Sequence, residues 1–503
     1  MIRKLAYSVV VFAVFLVVAE LAARLVESRG AGDSPTDYQS GWQSEFFSRL
    51  FDWHEPDPDL LWRFRPGLDN PLIKTNSEGF IGDEVADVRA AQSIRILLLG
   101  DSSPVGLGLD SYRRTFGSIA ERMLDAGFGG KRSVELINAS VTGYSSEQIR
   151  RLLEYRGWDL DPDMVVVYCG NNDASISGPS CDRELMETQR LRWVRRNLGR
   201  LALYRVLRGV LTTRRASQDL SPEQLRVRVS AERFEENLRD IARQCRAHGC
   251  PLILLSPPVP HLWPAGLQFK SFAHVTGEDG KVILPPEIVS IVGRKLKYCL
   301  DRQRFGELYG KGDVFTRAVY SSAYNDSLGL DQALEYYQTE LQTRPNDPVL
   351  LNNLGVSFWQ AGRYNEADRF LKEARSRFTF AYDGDSTPLL QAAGSPILYN
   401  IGINLLGESD SWKSLLEDTA GAAYIYLDSA LQADYLSLRI KREYADRLRK
   451  LGDLDGVTII DLPTIFARNG GESLFVDHCH PTAQGHLLIA GELARVIMAL
   501  TVP

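Results

Sequence analysis

Five short, predominantly apolar runs recur along the chain and set its main pattern. They are Ile94–Leu99, Val134–Ile137, Met164–Tyr168, Leu252–Leu255 and Val457–Ile460. Runs of four to eight apolar residues, rich in β-branched side chains, predict strands that are buried on both faces. Amphipathic stretches separate the runs. This alternation predicts an α/β fold, in which a parallel sheet is covered by helices on both sides.

Residues 231–249 illustrate the helical pattern. Phe234, Leu238 and Ile241 recur at intervals of three or four residues, and Gly249 closes the stretch before the next predicted strand. This spacing predicts one amphipathic helix that packs on the sheet. Functional residues of parallel sheets gather just beyond the carboxyl ends of the strands. Polar residues that follow the apolar runs are therefore the candidates for chemistry.

A different pattern interrupts the alternation between Pro260 and about Ala430, where no strong strand is predicted. Ala333 and Ala367 are 34 residues apart, and small and large residues recur at matching offsets. This region resembles the tetratricopeptide repeat, with one good copy at about 347–379, a partial copy at about 313–345 and a suggestive third near 399–406. The residues at matching offsets in the two copies are Tyr320 with Leu354 and Tyr337 with Leu371. An ordinary helical hairpin is the alternative to the repeat.

The N-terminus has its own apolar pattern. Arg3 and Lys4 precede an uncharged run from Leu5 to Ala19, and continuing through Glu20 to Leu25 gives about 20 residues, the length of a bilayer span. We predict a transmembrane signal anchor, with a cleaved signal peptide as the alternative. In both cases the basic flank stays cytoplasmic, which places the rest of the chain in the extracytoplasmic, periplasmic space.

Composition narrows the function classes. The chain has 503 residues and a formal net charge of −6, with no Lys/Arg-rich groove signature, so nucleic acid is not an expected partner. The length suggests two modules plus an appendage. Six cysteines are too few for a disulfide scaffold; Cys245 and Cys250 could close a small loop, and buried thiols are equally compatible with the sequence.

The first candidate block, Gly100-Asp101-Ser102, follows the first predicted strand. A serine hydroxyl there would project from a strand-to-helix turn, where backbone N–H groups face a developing negative charge. A simple helix N-cap is the alternative interpretation of such a serine. Pro104 stands where the G-x-S-x-G nucleophile elbow needs its final glycine, which argues against the α/β-hydrolase form of this chemistry.

Two further blocks supply candidate oxyanion donors. Gly143 follows the second run and permits close approach to its backbone amide, although a plain turn glycine has the same pattern. Asn172 lies in the segment Gly170-Asn171-Asn172-Asp173 after the third run, and its side chain is a neutral donor. One preorganised donor of this kind contributes roughly 2.7–4 kcal/mol to the stability of a transition state.

The fourth block lies at the other end of the chain. Asp477 and His480 are three residues apart on a predicted loop that enters the last helix. The carboxylate can hold the imidazole while its other nitrogen faces Ser102, the activation that a serine nucleophile needs. His478 and His486 are alternative bases. A metal site is a weaker alternative, because these residues lack the paired spacing of zinc motifs. The candidate ligands would be Asp477, His478, Cys479, His480 and His486.

Together the blocks resemble, in order and spacing, those of SGNH/GDSL serine hydrolases: GDSS, Gly143, GNND and DHCH. The segment KTNSEGF at residues 74–80 resembles a lead-in of membrane-tethered bacterial members. The resemblance implies a three-layer α/β/α domain, Ser102 as nucleophile, His480 as general base and Asp477 as its orienting residue. It also implies that the Ser102 amide, the Gly143 amide and the Asn172 side chain form the oxyanion hole.

The resemblance covers about 90–260 and 430–503, and it gives the predicted organisation of the chain. It departs from the family in the large insert between the third and fourth blocks. The predicted parts are an anchor at 1–27, a stalk and pre-domain segment at 28–90, a first hydrolase part at 91–262, a helical insert at 263–430 and a C-terminal hydrolase part at 431–503.

The predicted activity is cofactor-free hydrolysis of an ester, with acyl groups of cell-envelope polysaccharide or lipid as candidate substrates. The same residues would make an O-acetyltransferase if a sugar hydroxyl replaced water as the acceptor. A membrane-tethered scaffold that binds a protein partner through the repeat-like insert is the non-catalytic alternative.

Overall fold

The computed structural model describes the predicted α/β core and about half of the predicted helical insert. The described residues are 14–25, 53–70, 73–86, 89–90, 92–176, 180–187, 201–204, 206, 226–262, 330–382, 388–406, 415–416, 419–435 and 438–501. The predicted stalk, Tyr320 and Cys299 lie outside them. The predicted anchor is described over 14–25 only, and these residues are helical.

Two sheets are present in the described part of the chain. The small sheet is a hairpin of β1 (His54–Asp57) and β2 (Leu61–Phe64). The large sheet has five strands, all parallel, in the order β4-β3-β5-β6-β7. Its strands are β3 (Ile94–Gly100), β4 (Val134–Asn138), β5 (Met164–Tyr168), β6 (Leu252–Ser256) and β7 (Val457–Asp461). The predicted α/β fold with a parallel sheet is confirmed.

Helices cover both faces of the large sheet, and a second group of helices lies between β6 and β7 in the sequence. After the N-terminal helical segment at 14–25, the helices of the described residues are, in chain order, α1 (Ser102–Val105), α2 (Phe116–Phe128), α3 (Ser146–Leu152), α4 (Asp182–Glu187), α5 (Ala231–Ala247), α6 (Leu330–Thr343), α7 (Pro348–Gln360), α8 (Tyr364–Tyr382), α9 (Pro388–Leu406), α10 (Ala422–Ala433), α11 (Arg442–Arg449), α12 (Leu462–Arg468) and α13 (Ala483–Thr501). Short 3-10 turns lie at Tyr112–Arg114, Trp158–Leu160, Lys450–Asp453 and Gly471–Leu474, and a π turn at Leu153–Gly157.

Alternate residues of β3 pack into two separate hydrophobic cores. Leu97 and Leu99 pack among side chains from α3, α5 and α11 on one face. Ile96 and Leu98 pack among side chains from α2, α12 and α13 on the other. All four are fully buried, and burying each such side chain contributes about 1.5–3 kcal/mol. The continuous apolar run that predicted this strand therefore reflects its position between two helix layers.

The order of the strands places one crevice at the carboxyl edge of the sheet. The chain passes from β3 to β4 on one side, then returns to form β5 on the other side of β3. Gly100, the last residue of β3, pairs with Tyr168 at the end of β5. Ligands of open α/β sheets bind where the strand order reverses in this way. The segments that follow β3, β4 and β5 therefore meet at one place.

The hairpin of β1 and β2 was not predicted from the sequence. Its strands have four residues each, too few to show a clear alternation of apolar and polar positions. The segment that follows it is attached to the large sheet, because the Ile81 N–H donates to the Asn138 carbonyl at 2.9 Å. This contact places the pre-domain segment against the edge strand β4.

The region between β6 and β7 is helical in its described part. Helices α7 and α8 pack closely: a Cβ atom added to Gly355 would lie 2.7 Å from Cγ of Leu371. The region also contacts the sheet domain, where the Tyr399 hydroxyl donates to the Leu262 carbonyl at 2.7 Å. The assignment of these helices as tetratricopeptide-like repeats stays a prediction.

Among the described residues, α13 is the one helix long and apolar enough to cross a membrane, with a mean hydropathy of 1.2 over its most apolar window. This criterion considers length and composition alone. Ile489, Leu493 and Ile497 of α13 are buried against the sheet, as expected for a core helix. The described cysteines are thiols and form no disulfide among themselves, including Cys245 and Cys250.

Candidate active site

Ser102 lies at a tight turn between β3 and α1. Asp101 is the N-cap of this short helix, and its carboxylate accepts the Ser103 N–H at 2.9 Å. A side chain at Gly100 would not fit, because its Cβ would lie 2.5 Å from Pro104 and 2.8 Å from the Tyr168 carbonyl oxygen. The turn therefore brings the Ser102 hydroxyl to the carboxyl edge of the sheet with its backbone closely held.

Asp477 and His480 lie in a loop that precedes α13 and reaches back to Ser102. His480 Nε2 is 2.7 Å from Ser102 Oγ, and His480 Nδ1 is 2.7 Å from Asp477 Oδ2. The other carboxylate oxygen accepts the backbone N–H groups of Cys479 at 3.0 Å and His480 at 2.9 Å. The structure thus brings the three predicted residues into one hydrogen-bonded chain across 378 positions of sequence.

Burial and neighbouring charges shift the pKa values of His480 and Asp477 in opposite directions. Burial by itself would lower the pKa of the His480 imidazole, but the adjacent Asp477 carboxylate outweighs it and holds that pKa above its ordinary value. Burial would raise the pKa of the Asp477 carboxyl, yet His480, His478 and the backbone donors hold it well below its usual range. Asp477 is therefore ionised, and a protonated His480 is stabilised when it forms.

The two alternative bases occupy other positions. His486 is fully buried, and its Nδ1 accepts the N–H of Phe116 at the start of α2 at 3.1 Å. Burial lowers the pKa of His486 to about 3, so it stays neutral. His478 Nδ1 lies 3.7 Å from Asp477 Oδ1, beyond a normal hydrogen bond. Of the three histidines, His480 is the one hydrogen-bonded to Ser102.

Gly143 and Asn172 follow the strands on either side of β3. Gly143 has a φ of +77°, a conformation that favours glycine. Asn172 is buried, and its Nδ2 donates one hydrogen bond to the Tyr144 carbonyl at 3.1 Å. An amide nitrogen carries two hydrogens, so the second can serve another acceptor. The Tyr144 carbonyl thereby connects the two predicted donor segments directly.

Two buried carboxyl groups flank the site, and the sequence analysis assigned neither of them a role. Asp173 Oδ1 accepts the Ser146 N–H at 2.9 Å and its hydroxyl at 2.5 Å. Burial raises the pKa of Asp101 to about 7 and that of Asp173 to about 6. Their adjacency to Ser102 and Asn172 in the sequence was the one available signal. Asp101 directly follows β3, Asp173 lies in the segment after β5, and each accepts a backbone N–H in the loops around the site.

Distant segments hold these loops in ways that no local sequence signal indicated. The buried Arg228 guanidinium pairs with Asp182 at 2.6 Å and donates to the Gly143 carbonyl at 2.7 Å. Ile440 contacts the third block: its N–H donates to Asn171 Oδ1 at 3.2 Å, and a Cβ added to Gly170 would lie 2.5 Å from Ile440 Cδ1. Both supports come from segments more than 50 residues away along the chain.

The predicted alternative is a metal site, for which three residues supply donor atoms. Asp477, Cys479 and His480 each place one ligand atom within 4.8 Å of the others. Both ring nitrogens of His480, however, already lie at 2.7 Å from Asp477 and Ser102. Binding a metal through His480 would break one of these two hydrogen bonds. The geometry therefore favours nucleophilic catalysis over metal binding.

One family model matches part of the chain. Residues 96–281 match the family model described as GDSL-like Lipase/Acylhydrolase, a segment that contains Ser102, Gly143 and Asn172. No curated protein matches the chain. This segment is therefore similar to that family.

Several solved structures are weakly similar. The esterase EstA from Pseudoalteromonas sp. is 19% identical, with 33% of this chain and 61% of that chain covered and a TM-score of 0.20, so this chain spans about three fifths of that esterase. A lipase/acylhydrolase from Enterococcus faecalis is 18% identical, with 41% of this chain and 73% of that chain covered and a TM-score of 0.20. The acetylxylan esterase Axe2 from Geobacillus stearothermophilus is 14% identical, with 42% and 73% covered and a TM-score of 0.21.

Proposed function

We propose that this chain, which carries a GDSL-like lipase/acylhydrolase domain and is an ester-hydrolysing enzyme, cleaves O-acyl esters with Ser102 as its nucleophile. His480 is the general base and Asp477 its orienting residue. The observation that supports the assignment best is the continuous chain from Ser102 Oγ through both nitrogens of His480 to Asp477, with 2.7 Å at each step. A serine that merely caps a helix has no need of this chain.

The reaction has two steps. Ser102 Oγ attacks the ester carbonyl carbon while His480 Nε2 takes its proton, and the carbonyl oxygen becomes an oxyanion. The oxyanion accepts hydrogen bonds from the Ser102 and Gly143 amides and from the second hydrogen of Asn172 Nδ2. His480 then protonates the departing alcohol. Water then attacks the acyl-serine and gives its proton to His480, and His480 passes a proton to Ser102 Oγ as the acid leaves, which regenerates both residues.

The surroundings of the base suit this cycle. A general base works best when its pKa lies near the working pH. The ionised Asp477 holds the pKa of His480 above its ordinary value despite burial, so the imidazole accepts the serine proton readily. The imidazolium that forms lies against the carboxylate, which stabilises it in the low-dielectric interior.

For the substrate we propose acyl or acetyl esters of a cell-envelope polysaccharide or lipid. This proposal depends on the N-terminal anchor, which would hold the domain outside the cytoplasmic membrane. Its support is the apolar run at the N-terminus, where Phe15, Val17 and Val18 of the described helix are each about 60% exposed. Exposed apolar side chains on one helix are suited to lipid. The helical region is proposed as the site for a protein partner.

Transfer of the acyl group to a sugar hydroxyl is the second candidate, since the same residues and the same acyl-serine serve both outcomes. The experiment that tests the proposal is hydrolysis of p-nitrophenyl acetate and longer acyl esters by the protein, with Ser102→Ala and His480→Ala as variants. Loss of activity in both variants supports the assignment. A wild type without hydrolysis above background contradicts it, and an acylated sugar as the main product assigns the transferase.

A further inference from the structure

We infer that Trp62, on the hairpin strand β2, is a positioning residue for the oxyanion hole because it orients the peptide group that carries the Gly143 N–H. The inference rests on the proposed function, in which that N–H is an oxyanion donor. Trp62 lies 80 positions before Thr142 in the sequence and outside the segment matched to the family. The hairpin would thereby be part of the catalytic machinery of this chain.

The first observation is a hydrogen bond to the back of the relevant peptide group. Trp62 Nε1 donates to the Thr142 carbonyl oxygen at 3.1 Å. That carbonyl and the Gly143 N–H belong to the same peptide unit, which is planar and trans, so the two groups point in opposite directions. An indole that holds the carbonyl on one side therefore aims the N–H to the other.

The second observation is the packing of the indole around Gly143. A Cβ atom added to Gly143 would lie 3.4 Å from Trp62 Cζ2, so the ring is in contact distance of the glycine backbone. The Tyr144 ring meets the Trp62 ring edge-on at 5.9 Å between centroids, and its hydroxyl donates to the Trp62 carbonyl at 2.6 Å. These contacts hold the indole in one orientation relative to the loop.

The third observation is that the next peptide group is held as well. Arg228 Nη1 donates to the Gly143 carbonyl at 2.7 Å, and its guanidinium carbon lies 5.7 Å from the centre of the Trp62 ring. The Thr142 hydroxyl is 2.7 Å from His54 Nε2, on the other strand of the hairpin. Gly143, whose φ of +77° gives the loop its sharp bend, is therefore fixed by its neighbours on both sides.

The fixed orientation of the Gly143 N–H matters for catalysis as well as for packing. Donors stabilise a transition state because they are aimed before charge develops, and they then require no reorganisation. A hydrogen bond to the carbonyl also polarises the peptide and strengthens its N–H as a donor. Complete loss of one oxyanion donor lowers kcat about 10²–10³-fold. Loss of orientation alone should cost less, and we expect a fall of about tenfold in kcat/KM.

The test compares two matched Trp→Phe substitutions. Trp62→Phe deletes the N–H donor and keeps a ring against the loop. Trp158→Phe is the matched control, because Trp158 Nε1 also donates one hydrogen bond at 3.1 Å, to Gln244, and also belongs to a partly buried indole. For both variants one measures kcat/KM on p-nitrophenyl acetate, the thermal midpoint, the fraction of titratable active sites and inhibition by phenylboronic acid. The boronate adduct of Ser102 mimics the tetrahedral intermediate.

For Trp62→Phe we expect kcat/KM per titrated site to fall about tenfold and the boronate inhibition constant to rise by a similar factor. Trp158→Phe should change neither by more than about twofold. A lower thermal midpoint with an unchanged kcat/KM and boronate constant per active site would overturn the inference and leave Trp62 a structural residue. An inactive wild type would instead refute the proposed function, so the two failures are distinguishable.

Discussion

Replacing Asp477 by asparagine probes the candidate triad with the least change of shape. The Oδ1 atom of asparagine can still accept the Cys479 and His480 N–H groups, now at 3.0 and 2.9 Å, so the loop should keep its conformation. The other oxygen, 2.7 Å from His480 Nδ1, becomes an NH₂ donor. A donor at this position requires His480 Nδ1 to act as the acceptor.

The neutral imidazole must then carry its proton on Nε2, the atom 2.7 Å from Ser102 Oγ. In that tautomer Nε2 cannot accept the serine proton. The imidazolium of the transition state also loses its carboxylate partner. In the general Ser-His-Asp template the same exchange lowers kcat about 10⁴-fold. At roughly 1.4 kcal/mol per tenfold change, this corresponds to about 5.5 kcal/mol of transition-state stabilisation, and we expect a loss of this order for Asp477→Asn.

The assay is the steady-state hydrolysis of p-nitrophenyl acetate, with the folded fraction of each variant taken from circular dichroism. Asp125→Asn is the control, because Asp125 also accepts a backbone N–H, that of Val134 at 2.8 Å, and lies in α2 on another part of the domain. We expect this control to retain the wild-type kcat within about twofold. A folded Asp477→Asn variant within tenfold of wild type would refute the role of Asp477 as the orienting residue.

Three further predictions concern the oxyanion hole, the general base and the helical region. Asn172→Ala should lower kcat about 10²–10³-fold while the thermal midpoint stays within a few degrees of the wild-type value. An unchanged kcat would show that Asn172 is not an oxyanion donor. In a pH–rate profile, kcat/KM should fall as the pH drops through the pKa of His480. Because Asp477 raises that pKa, the midpoint of the fall should lie above the ordinary value of 6.5. A midpoint below 6.5 would contradict this prediction. Gly355→Ala should destabilise the helical region by about 1–3 kcal/mol, since the added Cβ lies 2.7 Å from Leu371, while esterase activity persists; calorimetry checks this, and an unchanged unfolding transition would contradict it.

The sheet was predictable because its strands are buried on both faces. Such strands need apolar residues at every position, and the run at 94–99 predicted a strand that the structure has at Ile94–Gly100. The same logic failed for the hairpin at 54–64. Its short strands pair with each other and are held by the buried Leu60 and Phe64 and by single contacts such as that of Trp62 with Thr142. Strands of four residues are too short for these contacts to produce a periodic pattern in the sequence.

The candidate site was predictable where chemistry depends on local spacing. Asp477 and His480, three residues apart, meet in the loop before α13 as their spacing indicated. The supports of the site were not predictable, because Arg228 and Ile440 reach it through contacts between distant segments. An arginine or isoleucine in isolation has many structural uses. Only the folded arrangement shows which backbone groups these two residues hold.

The most direct test of the account is to trap the nucleophile. The protein is treated with a fluorophosphonate, which transfers its phosphonyl group to an activated serine with loss of fluoride, and the adduct is located by mass spectrometry of proteolytic peptides. We expect one adduct, on Ser102, and no adduct in His480→Ala at the same exposure. Labelling of another residue, or no labelling of a wild type that hydrolyses esters, would contradict Ser102 as the nucleophile.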